Sequence, residues 1–292
     1  MWPRAALTHG ALAFLLGVTL AASAASAQDP REIILRSAEL DQRDADIRRN
    51  YTYLMRTEQR RLSARGRTAE TKSETHEVLI LYGATYRRLI ARNDQPLKAE
   101  EEKKEQEKLD KEAERRRKTA ERDPGRVRRE DARAIEEQKA LIREVAEAFA
   151  FKILREEAVA GHDAWVMQAE PLPGYRPQSK RAKMLPHFRG VLWITKEDYR
   201  WVKLEAEAIR TVSFGWILAR LRPGTRLAME QRPVEAGVWL PSKVSLQILA
   251  QVALLKKLEA EVDITFSNYR KFQSESRIVS TEELPPAPNS QP

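Results

Sequence analysis

From Lys243 to Ser267 the chain alternates apolar and polar residues through two long runs. Val244, Leu246, Ile248, Ala250 and Val252 interleave with Lys243, Ser245, Gln247 and Gln251. Leu258, Ala260, Val262, Ile264 and Phe266 then interleave with Glu259, Glu261, Asp263, Thr265 and Ser267. Side chains of a strand alternate between faces, so each run is a strand with one face in apolar surroundings and one in water. A turn near Leu254 to Lys257 makes the pair an antiparallel hairpin. A lone hairpin is marginal in water, so these strands must complete a larger sheet whose apolar face is covered.

The same alternation recurs upstream. Val202, Leu204, Ala206 and Ala208 point one way, and Lys203, Glu205 and Glu207 the other. Ala164 to Ala169 sets Trp165 and Met167 against Ala164 and Val166. Val191 to Ile194 is a short apolar run, and Lys196-Glu197-Asp198 is a polar turn after it. Tyr51 to Met55, Thr68 to Tyr82 and Thr85 to Arg92 read as a three-strand meander, broken by Ala64-Arg65-Gly66-Arg67 and by Gly83. Thr225 to Arg232 is a further strand, with Leu227 and Met229 on one face. Ser213 to Leu221 has Trp216, Ile217 and Leu221 at helical spacing and reads either as plain core packing or as a short helix across the sheet's open side.

The segment G-H-D-A-W-V-M-Q-A-E-P (161–171), followed after a Pro-rich gap by L-W-I-T-K-E-D-Y (192–199) and an alternating strand, resembles the middle of the outer-membrane lipoprotein-sorting family. That family includes the LolA and LolB carriers and RseB-type envelope sensors. The resemblance implies a curved antiparallel sheet with helices across its hollow face and an apolar cavity between them for acyl chains. It also implies an opening helix that packs on the sheet.

Such a helix is readable here. Asp29-Pro30 supplies an N-cap and a first-turn proline. Ile33, Leu40 and Ile47 recur every seven residues, with Ile34 and Ala38 beside them. Ahead of it, Arg4, the apolar run Ala11 to Ala22 and the small-residue site Ala25-Ser26-Ala27 have the form of a cleaved secretory signal, so residues 1–27 are expected to leave and the protein to be periplasmic or otherwise exported. The chain has no cysteine, hence no lipidation at a lipobox and no disulfide. The remainder suits one domain over 28–280, with a disordered tail over 281–292 rich in proline.

An insertion over 97–146 interrupts the strands. From Lys98 to Glu144 it holds 16 Lys/Arg and 15 Asp/Glu. Up to Arg122 it offers only Leu109 and a few alanines to bury, which predicts a solvated, projecting helix or a partly disordered arm. Pro124-Gly125 breaks it. Leu141, Ile142, Val145 and Phe149 then give the second half an apolar side that docks on the domain. The arm reads either as a lid or docking element, or as a solvated hairpin with no partner.

The formal charge is +9 and diffuse. No RNA-binding or zinc-finger spacing accompanies it, so nucleic acid is not an expected partner; a lipid, a lipidated protein or an anionic envelope membrane surface is. His76, His162 and His187 lack metal-ligand spacing. No nucleophile elbow, cysteine nucleophile or Gly-rich phosphate loop is present, so no metal, no cofactor and no enzyme activity are expected.

The fold class is α+β: an incomplete barrel of roughly eight to eleven curved antiparallel strands, with helices over the concave face and a long charged helical insertion. The expected function is binding of a lipid, a lipoprotein acyl chain or another amphipathic ligand, as carrier or sensor. Its apolar lining would be Val202, Leu204, Ala206, Val244, Leu246, Ile248, Val262, Ile264 and Phe266, each of which also fits plain core. Lys180, Arg181 and Lys183, on the long loop from Pro171 to Arg189, would meet a headgroup, or the loop is a plain surface connection. The alternative is a structural or regulatory envelope protein with a packed interior that acts through its charged arm.

Overall fold

The computed structural model describes residues 28–63, 66–214, 219–235, 237–252 and 256–272. The expected signal (1–27), the tail (281–292), Trp216, Ile217 and the turn at Leu254 lie outside the described residues.

Among the described residues thirteen strands form one open, wholly antiparallel sheet. In chain order these are β1 (Tyr51–Leu62), β2 (Thr68–Leu81), β3 (Ala84–Arg92), β4 (Gln95–Pro96), β5 (Phe149–Val159), β6 (His162–Pro171), β7 (Phe188–Thr195), β8 (Trp201–Ala208), β9 (Val212–Phe214), β10 (Ala219–Leu221), β11 (Arg226–Glu235), β12 (Val238–Val252) and β13 (Lys256–Lys271). The main path runs β4-β3-β2-β1-β13-β12-β11-β8-β7-β6-β5, with β10 joining β12 to β9. Among the described residues three α-helices, α1 (Pro30–Arg48), α2 (Ala99–Arg122) and α3 (Arg126–Ala148), and one short 3-10 helix (Ala182–His187) complete the fold. The count exceeds the expected range because the described residues of Ser213 to Leu221 lie in strands. Its described ends, β9 and β10, are paired strands, with Leu221 opposite Val212.

Local chemistry explains the turns. Tyr82-Gly83 and Ala160-Gly161 both have positive φ at two successive residues, as does Asn93-Asp94. Two-residue hairpins need that conformation because it matches the strands' right-handed twist, and glycine and asparagine adopt it most readily.

Helix α1 starts as expected: Asp29 Oδ1 accepts from the Arg31 amide at 2.9 Å and its carbonyl from Ile33. Ile33 and Ile34 pack on Trp165, Met167 and Ile194, the centre of the core. Further along, the inward stripe departs from the seven-residue reading. A straight helix drifts about 20° per heptad, so Leu40 moves to the margin, Ile47 is exposed, and Ser37, Asp41, Asp44 and Arg48 turn inward.

The insertion carries the chain from β4, at one edge of the sheet, to β5, at the other. At ~4.8 Å per gap a flat sheet of this width would place those edges about 48 Å apart, whereas α3 is only ~34 Å long. The sheet therefore curves towards the side bearing α1 and α3. On that side Ala148 and Phe149 close a second cluster with Ala169, Leu185 and Leu192.

Helix α2 buries no residue, as its composition predicts, but it does not project. It lies along β3, clamped at three points. Arg92 donates to Glu101 at 2.8 Å and Arg88 to Gln106 at 3.2 Å. Arg116 donates to the carbonyls of Leu81, Ala84 and Thr85 at 3.2, 2.7 and 3.1 Å. Polar clamps hold it where apolar packing could not.

Candidate ligand-binding site

Strand pairing assigns each side chain to a face, because directly paired residues point the same way. On the face bearing α1, one cross-strand row runs Leu192–Leu204–Met229–Val244–Ile264. The next runs Gly190–Ala206–Leu227–Leu246–Val262, and Ile248 opposite Ala260 begins a third. Phe266 pairs with Met55 of β1. Eight of the nine candidate lining residues thus share this inner face. Leu227 and Met229 join them; their own alternation was the signal that could have placed them there.

Val202 does not serve with this set. A β-bulge puts Trp201 opposite Ile194 and Lys203 opposite Trp193, so Val202 is the extra residue and is only 2% exposed. Leu204, Ala206, Val244, Leu246, Ile248, Val262, Ile264 and Phe266 all remain part-exposed. None belongs to the buried clusters formed at α1–β6–β7, at α3–β5 or around Tyr51, Val238 and Leu240. From β8 to β13 this apolar strip crosses four adjacent strands, about 14 Å at ~4.8 Å spacing. Towards β1 and β2 it ends in polar residues, since Thr57 and Gln59 continue the two rows, followed by Glu74 and Lys72.

A buried polar cluster, marked by no motif in the sequence, lies between α1 and the start of β8. Asp41 accepts from the Trp201 indole at 3.0 Å and from Arg48 at 2.9 Å. Asp44 pairs with Arg200, whose side chain is 15% exposed. Burial pushes the Arg200 guanidinium pKa down, against the pull of the Asp41 carboxylate. Arg200 also donates to the Gly237 carbonyl at 3.3 Å, tying three segments together.

The opposite face is polar, as alternation requires. There a cavity of ≈ 640 Å³ opens over Val191, Glu205, Ala228 and Ser245, flanked by Arg189, Glu207 and Arg226. Arg189 lies 2.9 Å from Glu207 and holds that carboxylate's pKa below its usual range. Gly190, Ala206 and Leu227 of the second apolar row also border this cavity, so one expected lining residue, Ala206, touches it.

Lys180, Arg181 and Lys183 are exposed on the loop between β6 and β7. Arg181 pairs with Glu137 of α3 at 3.1 Å. The loop is also pinned to α3 by Glu144, which accepts from the Tyr175 hydroxyl at 2.8 Å and the Gln178 amide at 3.2 Å. These basic residues therefore sit beside α3 and not among the apolar rows. Among the described residues no cluster of three or more His, Asp or Glu side chains could hold a metal ion, and no helix is long and apolar enough to cross a membrane.

No protein-family model and no curated protein matches this chain. Solved structures do resemble it. One is an outer membrane lipoprotein-sorting protein domain from Vibrio parahaemolyticus: 12% identity, TM-score 0.34, covering 84% of this chain and 95% of that one. A DUF1329 family protein from Desulfovibrio piger has 11% identity and a TM-score of 0.31 over 85% of this chain and 95% of that one. A LolA superfamily protein from Nitrosomonas europaea has 11% identity and a TM-score of 0.28 over 84% and 93%. The first and third of these carry the name of the family that the Gly161–Ala208 stretch resembles. Identities of this size and TM-scores below 0.5 leave the ligand to be argued from the chain's own residues.

Proposed function

We propose that this protein is an exported, non-enzymatic carrier or sensor that binds an acyl chain along the inner face of β8, β11, β12 and β13. One observation carries the reading. Two rows of aliphatic side chains lie side by side on four strands, part-exposed and outside every buried cluster described above. Apolar surface left in this state gains by taking up hydrocarbon, at ~0.8 kcal/mol per buried methylene, with few polar contacts needed. The polar residues that end the rows at Thr57, Gln59 and Lys72 suit the wetter end of an amphipathic ligand. A lipid or a lipidated protein is the ligand class.

Titration with an environment-sensitive dansyl fatty acid tests the reading. Saturable binding is expected, with displacement by unlabelled fatty acid. Ile264→Asp and Leu246→Asp place a carboxylate in the strip and should abolish binding while circular dichroism stays unchanged. A folded wild-type protein that fails to bind the probe, or aspartate variants that bind it normally, would remove the strip as the ligand site. Native mass spectrometry of protein purified from membranes would identify a resident lipid.

A further inference from the structure

Helix α2 is neutral overall, with nine basic and nine acidic residues, so its net charge gives it no partner. Its charges are nevertheless sorted. Lys104, Lys108, Lys111, Arg115, Lys118 and Arg122 follow one another at intervals of four, three, four, three and four. At 3.6 residues per turn they fall within an arc of ~80° and run for ~27 Å along the axis. All six are exposed. Within that arc the only carboxylate is Glu100, at the N-terminal end of the helix. The compensating acids lie elsewhere: Glu105 and Glu112 are on the side turned towards the domain, and Glu107, Asp110, Glu114 and Glu121 are on the far flank.

The helix is not free to turn this stripe away. Arg116 is bonded to three main-chain carbonyls of the β2–β3 turn, and Gln106 and Glu101 are bonded to arginines of β3. These clamps fix which flank faces solvent. Lys104, Lys111 and Arg122 make no ion pair among the described residues, while Lys108, Arg115 and Lys118 pair within the helix at 2.6, 2.6 and 3.3 Å.

We infer that this stripe docks the protein on the surface of an anionic lipid bilayer. The chemistry favours a bilayer over a protein partner. Stable protein interfaces are anchored by aromatic and aliphatic side chains in desolvated pockets, and the arc contains none. A straight line of long, mobile cations fits a flat and laterally fluid layer of phosphates, where each basic residue attracts independently and none has to be desolvated. The stripe is on a different element from the apolar strip, so the proposal stands apart from the acyl-chain reading.

Vesicle flotation with the full chain tests it. Binding to phosphatidylcholine vesicles containing phosphatidylglycerol is expected, with none to pure phosphatidylcholine. It should vanish near about 1 M salt, where the screening length falls to ~3 Å. Each stripe residue is worth about fivefold in affinity, so the variant K104Q/K111Q/K118Q should bind on the order of 100-fold more weakly. Glutamine is a good helix former and these side chains are exposed, so far-UV ellipticity should not change. A control variant with the same charge removed elsewhere, K152Q/K243Q/K257Q, should keep most of the binding. Equal losses in the two variants would reduce the effect to net charge and overturn the proposal. So would equal binding to both lipid compositions, or no binding to either; the comparison of lipids needs only the wild-type chain.

Discussion

The ion pair between Asp44 and Arg200 makes a sharp test of how α1 is held. Their side chains are 9% and 15% exposed, and the pair joins α1 to the strand entering the core beside Ile194. Arg200→Met keeps the volume and removes the charge. It strands the Asp44 carboxylate in a site that water barely reaches, a loss of about 3–5 kcal/mol by precedent for buried pairs. For a domain of this size each kcal/mol moves the midpoint of thermal unfolding by about 2–4 °C, so a fall of roughly 6–20 °C is expected. The double variant R200M/D44L removes both charges and should recover most of that loss, because a buried pair replaced by apolar residues is often neutral or stabilising.

Urea unfolding of the wild type, both single variants and the double variant closes the cycle. An exposed pair serves as reference: Lys196 and Glu156 are 37% and 58% exposed, and Lys196→Met should shift stability by less than about 1 kcal/mol. A loss in R200M no larger than that reference, or single-variant losses that simply add in the double, would refute the claim that α1 turns a desolvated polar stripe inward.

Three other outcomes follow from particular contacts. A Cβ at Gly190 would lie 3.0 Å from the Glu205 carbonyl oxygen, a main-chain atom that cannot step aside, so Gly190→Ala should cost about 1–3 kcal/mol in urea unfolding. Hydrogen bonds from Arg115 and then Arg116 push the Glu112 carboxyl down to about 2. A folded pKa below the unfolded value of ~4.3 gives stability that is complete above that value and lost as pH falls through about 2, so the wild type should lose an α2 ellipticity component between pH 4.5 and 2 that E112Q lacks. Burial, followed by the hydrogen bond to Glu144, pushes the Tyr175 phenol up to about 12. Burial pushes the Tyr269 phenol up as well, so difference absorbance at pH 11 should show more than one tyrosine still protonated, and Tyr175→Phe should remove one of them.

The sheet was legible because its strands are one-faced. Val244, Leu246 and Ile248 pair across β12 and β13 with Ile264, Val262 and Ala260, so the alternation read along one strand is also the ladder read across two. Where apolar residues lack a clear period, the reading fails. Trp216, Ile217 and Leu221 sit at helical spacing, yet the described flanks of that segment are strands. Bulges are silent for a related reason: nothing in Trp201-Val202-Lys203 marks the extra residue, so the alternation was carried one position too far. The candidate site was legible as a set of side chains, and its boundaries were not. Thr57 and Gln59 end the apolar rows only because β1 pairs with β13, a contact between residues some 200 positions apart in sequence.

The docking of α2 was illegible because Arg116 binds main-chain carbonyls, which every residue supplies, and it changes what a deletion of the arm should do. Glu101 is held at the Arg92 end of β3, and Arg116 at the Leu81–Thr85 turn, so α2 runs the length of that strand before α3 begins. At 1.5 Å per residue its 24 residues cover ~36 Å. An extended chain gains at most about 3.4 Å per residue, so a replacement needs at least ~11 residues to deliver α3 to its place. Removing Glu101 to Arg122 with a four-residue Gly/Ser linker should therefore drag α3 off β5 and break the Glu144–Tyr175 contact, with a lower unfolding midpoint and loss of the high-pH signal that Tyr175→Phe removes. The same deletion with a 16-residue linker should keep both near wild type, since α2 buries nothing and contributes only exposed or part-exposed polar contacts. If the short linker is tolerated as well as the long one, α2 does not set the span between the two edges of the sheet, and the coupling argued here between helix length and sheet curvature fails.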